Sequence, residues 1–183
     1  MRITQKGAIV RGTDLMLNRL AAEGPDPAHR EEMMLFGRLI GSWKLDMVSF
    51  PREGPARPFS AEWHFGWALQ GRAVQDVLIT RSPEGDVVGY GSTVRSFDSR
   101  NGLWWIVWQD PLAGEFSVLL AQAEGDSILL RGEWTLEGVT RSFRWTFSEI
   151  TSETFHWECH ILEDGGEWRL AEEMRAKRMW DAN

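Results

Sequence analysis

The chain has 183 residues, which suits one domain because single cores usually close at roughly 100–200 residues. Hydrophobic residues make up 43% and charged residues 26%, a composition that excludes a disordered or membrane-spanning chain. The net charge of -7 disfavours nucleic acid and anionic lipid as partners, since both carry phosphate. The single cysteine, Cys159, and the lack of a continuous apolar leader segment predict a cytoplasmic protein.

Residues 1–37 predict an N-terminal extension of two short helices. Thr13-Asp14 precedes the amphipathic run LMLNRLAA, which Gly24-Pro25 ends. Pro27 then opens a second helical run, AHREEMMLF.

Residues 38–183 predict an all-β domain, because polar and apolar residues alternate there in runs separated by Gly, Pro, Asp and Asn. Ten strands are expected, centred on IGSWKLDMVSF, FSAEWHFGWAL, RAVQDVLITR, VVGYGSTVRSF, LWWIVWQ, EFSVLLAQA, SILLRGEWTL, TRSFRWTFSEI, TFHWECHILE and EWRLAEEMRAK. The turns between them are too short for a crossover helix, which excludes a parallel sheet. An antiparallel meander hides its edges by closing, so we expect an up-and-down β-barrel of about eight to ten strands.

Four stretches carry a resemblance to a known family. They are the run LFGRLIGSW ending at Trp43; Trp63 with LQGRAVQD; YGSTVRSFD at residues 90–98; and WIVW at residues 105–108. In this order they resemble the lipocalin-like (calycin) barrels, and specifically the small intracellular bacterial lipocalin-like domains of unknown function.

The resemblance implies a barrel around a cavity, with the Trp of Gly-x-Trp packed across the closed end. That Trp is Trp43, and an Arg from the last strand, either Arg175 or Arg178, would cover it. The residues support this independently, since Gly41 permits close backbone approach where a barrel floor must be closed.

The chain holds eleven tryptophans, and several fall on one face of a predicted strand. Such flat apolar walls suit a small, mostly apolar or aromatic ligand, and ten strands enclose more space than side chains easily fill. We favour a ligand cavity over a solid core. The predicted ligand-binding residues are Trp63, Phe65, Trp67, Trp108, Phe143, Trp145 and Trp157.

The stretch from Leu103 to Trp108 is apolar on both faces. One face meets the core, and the other needs a cover, because an exposed patch containing Trp promotes association. We expect either the N-terminal helices or a second subunit there, and a homodimer is the predicted assembly.

His156, Glu158 and His160 share one face of a predicted strand. His156 and His160 lie ~13 Å apart along a strand, so at most two of the three could bind one metal ion. A solvent-facing row is favoured, and no metal or cofactor is predicted. Haem remains an alternative, in which His156 or His160 would supply the ligand to iron.

An enzyme acting on a small hydrophobic substrate in the same cavity, as an isomerase, cyclase or hydrolase, is the other alternative. It needs polar side chains inside, for which Asp76, Tyr90 and Arg95 are candidates; Asp76 and Arg95 stand on adjacent strands and could pair. No catalytic residue is assigned. The favoured hypothesis is a cytoplasmic lipocalin-like barrel that binds a small hydrophobic molecule.

Overall fold

A computed structural model describes residues 12–136 and 139–180. Helix α1 spans Gly12–Leu20, and helix α2 spans Arg30–Gly37 after a short 3-10 turn at Pro27–His29. The strands are β1 Ala21–Ala22, β2 Gly41–Ser49, β3 Arg57–Ala68, β4 Ala73–Arg81, β5 Val87–Asp98, β6 Leu103–Asp110, β7 Glu115–Glu124, β8 Ser127–Leu136, β9 Val139–Ser148, β10 Thr154–Leu162 and β11 Trp168–Met179.

Strands β2 to β11 form a closed antiparallel barrel of ten strands. Each pairs with the next in sequence, and β11 returns to pair with β2. The short turns between strands dictate this order, because hairpins join only antiparallel neighbours. The predicted all-β, up-and-down barrel is confirmed.

The first helix is shorter than predicted. Ala21 and Ala22 form β1, which pairs with Trp67 and Ala68 of β3. This part of β3 extends past Phe65, the residue that pairs with the first residue of β2. The helical pattern of LMLNRLAA does not reveal this, because the pairing partner lies more than forty residues away in sequence. The predicted residues 1–11 of the extension lie outside the described residues.

Alternation along the strands places one row of each strand in the lumen. The inward residues include Trp43, Leu45 and Met47 of β2, and Phe155 and Trp157 of β10, all buried. Trp104, Ile106 and Trp108 face inward from β6 and are also buried. The barrel wall therefore carries one continuous apolar core on its inner face.

Trp43 and Arg178 close one end of the barrel. The Arg178 guanidinium lies 4.0 Å from the centre of the Trp43 ring, and its Nη1 donates to the Ile40 carbonyl at 2.7 Å. Gly41 has a φ of +123°, and a side chain there would collide with Nη1 of Arg178. Of the two arginines considered from sequence, Arg178 is therefore the one that covers Trp43. Its position also explains why the Gly-x-Trp motif begins with a glycine.

Helix α2 lies at the same end and adds side chains to the core. Met33, Phe36 and the following Leu39 are buried, and the Phe36 ring contacts Trp104 at 4.8 Å between centroids. The extension therefore contributes to the barrel's packing, and its second helix forms part of the closed end.

The described helices leave the outer face of β6 uncovered. Trp105 remains 47% exposed and Val107 38% exposed within the single chain. A helix lid over this strand is therefore wrong for the described residues, and a second subunit stays a prediction. No described helix is long and apolar enough to cross a membrane.

Candidate functional site

Burial decreases along the lumen from the closed end towards the opposite rim. On β2, Leu45 is completely buried, whereas Ser49 is only half-buried. On β10, Phe155 and Trp157 are buried, whereas Cys159 is half-buried. The barrel therefore has a sealed half and a half that water reaches from the rim.

Aromatic rings fill the sealed half. Trp63 contacts Phe65 at 4.9 Å and Phe147 at 5.5 Å between ring centroids. Trp67 lies near the closed end of β3, where it pairs with Val74 and its indole packs beside Gly37 of α2. Three of the predicted ligand-binding residues, Trp63, Phe65 and Trp67, thus pack within or beside the sealed half.

The other four predicted residues lie together nearer the rim. Trp145 is central, with its ring 6.2 Å from Trp108, 5.7 Å from Trp157 and 5.5 Å from Phe143. Trp145 is half-buried and is the ring of the four that reaches solvent, because Trp108, Phe143 and Trp157 are buried. We call Trp108, Phe143, Trp145 and Trp157 the rim aromatic wall.

Two carboxyl groups and a thiol stand beside the rim aromatic wall. Cys159 of β10 lies opposite Trp145 on one side and Glu172 of β11 on the other. Burial, with a smaller contribution from the Glu115 charge, raises the pKa of Glu172 to about 7. Trp108 donates its Nε1 hydrogen to Glu115 at 3.3 Å. The wall therefore offers flat apolar rings and a carboxyl group that changes charge near neutral pH.

Cys159 is a half-buried, protonated thiol rather than a nucleophile. Burial raises its pKa to about 12, and the charge of Glu172 acts in the same direction. The thiol stays protonated at neutral pH, so Cys159 behaves as a small apolar residue.

Arginines join two loops at the rim. Arg169 donates to Glu163 at 2.6 Å and to the Phe50 carbonyl at 2.8 Å, while Arg52 contacts Glu163 at 3.0 Å. The hydrogen bond from Arg169 and the neighbouring positive charges lower the pKa of Glu163. These contacts hold the loop after β2 against the turn between β10 and β11, beside the lumen entrance.

Asp76 and Arg95 form an ion pair inside the sealed half. Their side chains are completely buried, with 2.6 Å between Arg95 Nη1 and Asp76 Oδ2, and Asp76 also accepts from the Thr93 backbone at 2.7 Å. The Arg95 guanidinium lies 5.1 Å from the centre of the Phe65 ring. The predicted pairing is confirmed, whereas Tyr90 is 53% exposed and does not join it.

The four histidines all lie outside the lumen. His156 and His160 alternate with the inward residues of β10, and His64 alternates with those of β3. His29 stands in the 3-10 turn outside the barrel end, where its ring meets Phe97. A haem held in the lumen by His156 or His160, the alternative considered from sequence, does not fit this arrangement.

Sequence reasoning missed Glu172 and Glu115. The signal for Glu172 was present, because Met174 and Ala176 alternate with charged residues and extending that alternation by two residues places Glu172 inward. A register shift opposite Cys159 and His160 then changes the alternation at Ala171. The bulge has no local sequence signature. The sequence therefore does not show which residues in the first half of β11 face inward.

Two clefts lie on the outer surface of the protein, away from the lumen. One of about 260 Å³ lies by His29 and Arg72, and one of about 240 Å³ lies by Lys44 and Glu62 on the outer wall. Both are smaller than most sites for drug-sized ligands, which measure roughly 300–1,000 Å³. The rim aromatic wall is the candidate site because Trp145 is half-buried beside Glu172 and Cys159.

A closed antiparallel barrel of ten strands, with Trp43 and Arg178 at its sealed end, fits a lipocalin-like fold. No protein-family model and no curated protein matches the chain. Several solved structures share the fold, including these two. One is Rv2717c from M. tuberculosis, with a TM-score of 0.61 and 14% identity over 82% of this chain and 98% of that chain. The other is the S-type phycobiliprotein lyase CPES from Guillardia theta, with a TM-score of 0.57 and 13% identity over 81% of this chain and 93% of that chain.

Proposed function

We propose that the chain is a cytoplasmic lipocalin-like barrel, of the small bacterial kind that its first strands resemble, and that it binds a small, flat, mostly apolar molecule. The observation that carries this proposal is the rim aromatic wall. Trp145 contacts both Trp108 and Trp157, and it is half-buried whereas those two rings are buried. A half-buried ring backed by two others offers stacking surface that a filled core would bury.

The polar groups beside the wall define the rest of the ligand. Trp157 has a buried Nε1 hydrogen without an acceptor, and Glu172 is a carboxyl group that is half protonated near pH 7. An unpaired buried donor costs roughly 1–3 kcal/mol, so a ligand that supplies an acceptor there gains affinity. A ring system with one carbonyl or hydroxyl oxygen fits these groups best.

The test begins with native mass spectrometry and an absorbance scan of the purified protein. Tryptophan fluorescence is then titrated with 2-naphthol, oleate and protoporphyrin, which represent a flat ring with a hydroxyl group, an aliphatic chain and a tetrapyrrole. We expect saturable quenching by 2-naphthol, because its ring can stack on the half-buried Trp145 and its hydroxyl group can meet the polar groups beside it.

Trp145→Leu is the decisive variant, and Trp168→Leu is its control. Trp168 stands at the start of β11 outside the lumen, where the Arg144 guanidinium lies 4.6 Å from its ring centre. We expect Trp145→Leu to weaken 2-naphthol binding at least tenfold, and Trp168→Leu to leave it within twofold. Equal affinities in correctly folded samples of both variants, checked by circular dichroism, would remove the proposal.

A second candidate function is an enzyme in the same lumen, which the raised pKa of Glu172 favours. A carboxyl group with a pKa of about 7 can both accept and donate a proton at neutral pH. On this hypothesis Glu172→Gln abolishes turnover of a bound substrate while its binding changes little. If Glu172→Gln retained turnover and its pH profile, the role of Glu172 as an acid or base would be excluded, and binding would be the one function still proposed.

A further inference from the structure

We propose a site for a divalent transition-metal ion on the outer face of the barrel, formed by His156, Glu158 and Glu173. His156 and Glu158 stand two residues apart on β10, and Glu173 stands on β11 directly opposite Glu158. The fold thus supplies a third ligand that spacing along one strand cannot provide. The proposal is independent of the ligand in the lumen.

The distances suit one ion. One ligand atom from each of the three side chains lies within 4.8 Å of the other two, and His156 Nε2 is 3.5 Å from Glu173 Oε2. Metal bonds of ~2.0–2.2 Å place two tetrahedral ligand atoms roughly 3.4 Å apart. The pair of His156 and Glu173 already has this separation, and a Glu158 oxygen lies within 4.8 Å of both.

Two carboxylates meet at the site, and the nearest cationic residue by register, Arg175, lies opposite His156. Glu158 and Glu173 are direct cross-strand neighbours, and like charges directly opposite each other destabilise a sheet. Neither carboxylate meets a lysine or arginine among the described ion pairs; the one described contact is between Glu173 and His156. A divalent ion would neutralise both carboxylates while leaving His156 neutral.

The buried ring of His156 is a second and independent observation. His156 is 8% exposed although it points away from the lumen, and its Nε2 atom is buried without a hydrogen-bond partner. A buried ring nitrogen with no partner is unfavourable, and this one is directed at the two carboxylates. A neutral imidazole nitrogen in such a position can donate its lone pair to a metal ion.

The chemistry of the ligands selects the ion. One imidazole nitrogen and two carboxylate oxygens are typical of Zn²⁺ and similar first-row ions, with positions left for water. Ca²⁺ prefers six to eight oxygen ligands, and Mg²⁺ also prefers oxygen alone. We therefore infer that the site discriminates Zn²⁺ from Ca²⁺ through His156.

The outer site has a structural consequence for the lumen. Its ligands alternate with inward residues, so that Glu158 lies between Trp157 and Cys159, and Glu173 lies between Glu172 and Met174. An ion bound here fixes the pairing of β10 with β11 next to the register shift. It would hold in place the part of the wall that carries Trp157 and Glu172.

The experiment is calorimetric titration of the whole, chelator-treated protein with Zn²⁺ and, separately, with Ca²⁺. We expect one Zn²⁺ per chain and no measurable binding of Ca²⁺. His156→Gln and Glu173→Gln should each weaken Zn²⁺ binding at least tenfold, and Zn²⁺ should raise the melting temperature of the natural chain but not of these variants.

His64→Gln is the matched control. His64 Nε2 also stands 3.5 Å from a carboxylate oxygen, that of Glu62, on another outer strand, but it takes no part in a described group of three ligands. Zn²⁺ affinity should therefore persist in His64→Gln. Absence of Zn²⁺ binding, or its loss in His64→Gln and retention in His156→Gln, would overturn the proposal.

Discussion

Trp108 fits the barrel wall because the residue facing it has no side chain. A Cβ atom on Gly91 of β5 would overlap the Trp108 indole. Gly91→Ala must therefore displace one ring of the rim aromatic wall, and overpacking of this kind costs about 1–3 kcal/mol. We expect that loss in the free energy of unfolding, measured by urea denaturation.

Gly66→Ala is the control for this substitution. Gly66 is also a strand glycine, but no atom lies within 4 Å of the position that its Cβ would take. Alanine there should leave stability unchanged or slightly raised, since glycine weakens strand interiors. Equal destabilisation by both substitutions would mean that chain stiffness, and not Trp108, sets the effect.

Glu172 makes stability depend on pH in the direction opposite to an ordinary carboxylate. Its folded pKa of about 7 exceeds the ordinary 4.5, so the folded chain binds the proton more tightly than the unfolded chain. The free energy of unfolding therefore falls as pH rises between these values, by up to about 3 kcal/mol. Glu172→Gln should match the natural chain near the lower pH limit and exceed its stability above pH ~7.

Urea denaturation at a series of pH values measures this difference, and Glu53→Gln serves as the control. Glu53 is exposed in the loop after β2, so its substitution should shift stability equally little at each pH. A constant difference between Glu172→Gln and the natural chain across the series would show that Glu172 is not responsible.

The closed end unites three segments through one side chain of the last strand. Arg178 stacks on Trp43, donates to Ile40 and also donates to the Ser152 carbonyl. Because hydrogen bonds to charged groups contribute roughly 1.5–3 kcal/mol, Arg178→Met should lower the free energy of unfolding by about 2 kcal/mol. Thermal and urea unfolding followed by Trp fluorescence measure the loss.

Lys177→Met is the control at this end, since Lys177 is the exposed neighbour of Arg178 on the same strand. Its substitution should change stability by less than about 0.5 kcal/mol. If both variants lost the same stability, a general effect of charge removal would replace the specific role of Arg178.

The strands of the barrel were predictable because their sequences alternate. Inward rows such as Trp63 and Phe65 follow from period two alone, and Gly41 with Trp43 locates the closed end. Features that depend on distant partners were not predictable. The pairing of Ala21 with Ala68 and the register shift near Ala171 are of this kind, since neither is encoded locally.

The candidate site was predictable in part for the same reason. Alternation places Phe143, Trp145 and Trp157 on one interior, and the structure brings them together. Alternation does not show where the barrel ends. For this reason Trp67 was predicted to be a ligand-binding residue with the others, although it lies against α2. Glu173 joins His156 only through cross-strand register, which one sequence does not reveal.

Over the whole molecule, the main departure from an ordinary surface is the outer face of β6 and β7. Trp105, Val107, Phe116, Val118 and Leu120 are each more than a third exposed, and Trp105 pairs with Leu120 as Val107 pairs with Val118. They form one contiguous apolar area, which we call the outer apolar surface. Such areas mark contacts with other molecules.

We propose that a second copy of the chain covers the outer apolar surface, as the two-faced sequence of β6 predicts. Leu120→Glu places a charge at its centre, beside Trp105, and burial of that charge in an interface without a partner is costly. The natural chain should elute with the mass of a dimer in light scattering at micromolar concentration, and Leu120→Glu with that of a monomer.

Val139→Glu separates this effect from a general response to added negative charge. Val139 is 52% exposed at the start of β9, outside the outer apolar surface, so its substitution should leave the dimer intact. A twofold axis through the outer apolar surface also brings the two Trp105 residues into the interface. Dimer formation should therefore shift Trp emission to shorter wavelength as concentration rises in the natural chain and in Val139→Glu, but not in Leu120→Glu. If the natural chain remained monomeric at high concentration, the dimer proposal would be wrong. A different partner would then have to cover the outer apolar surface.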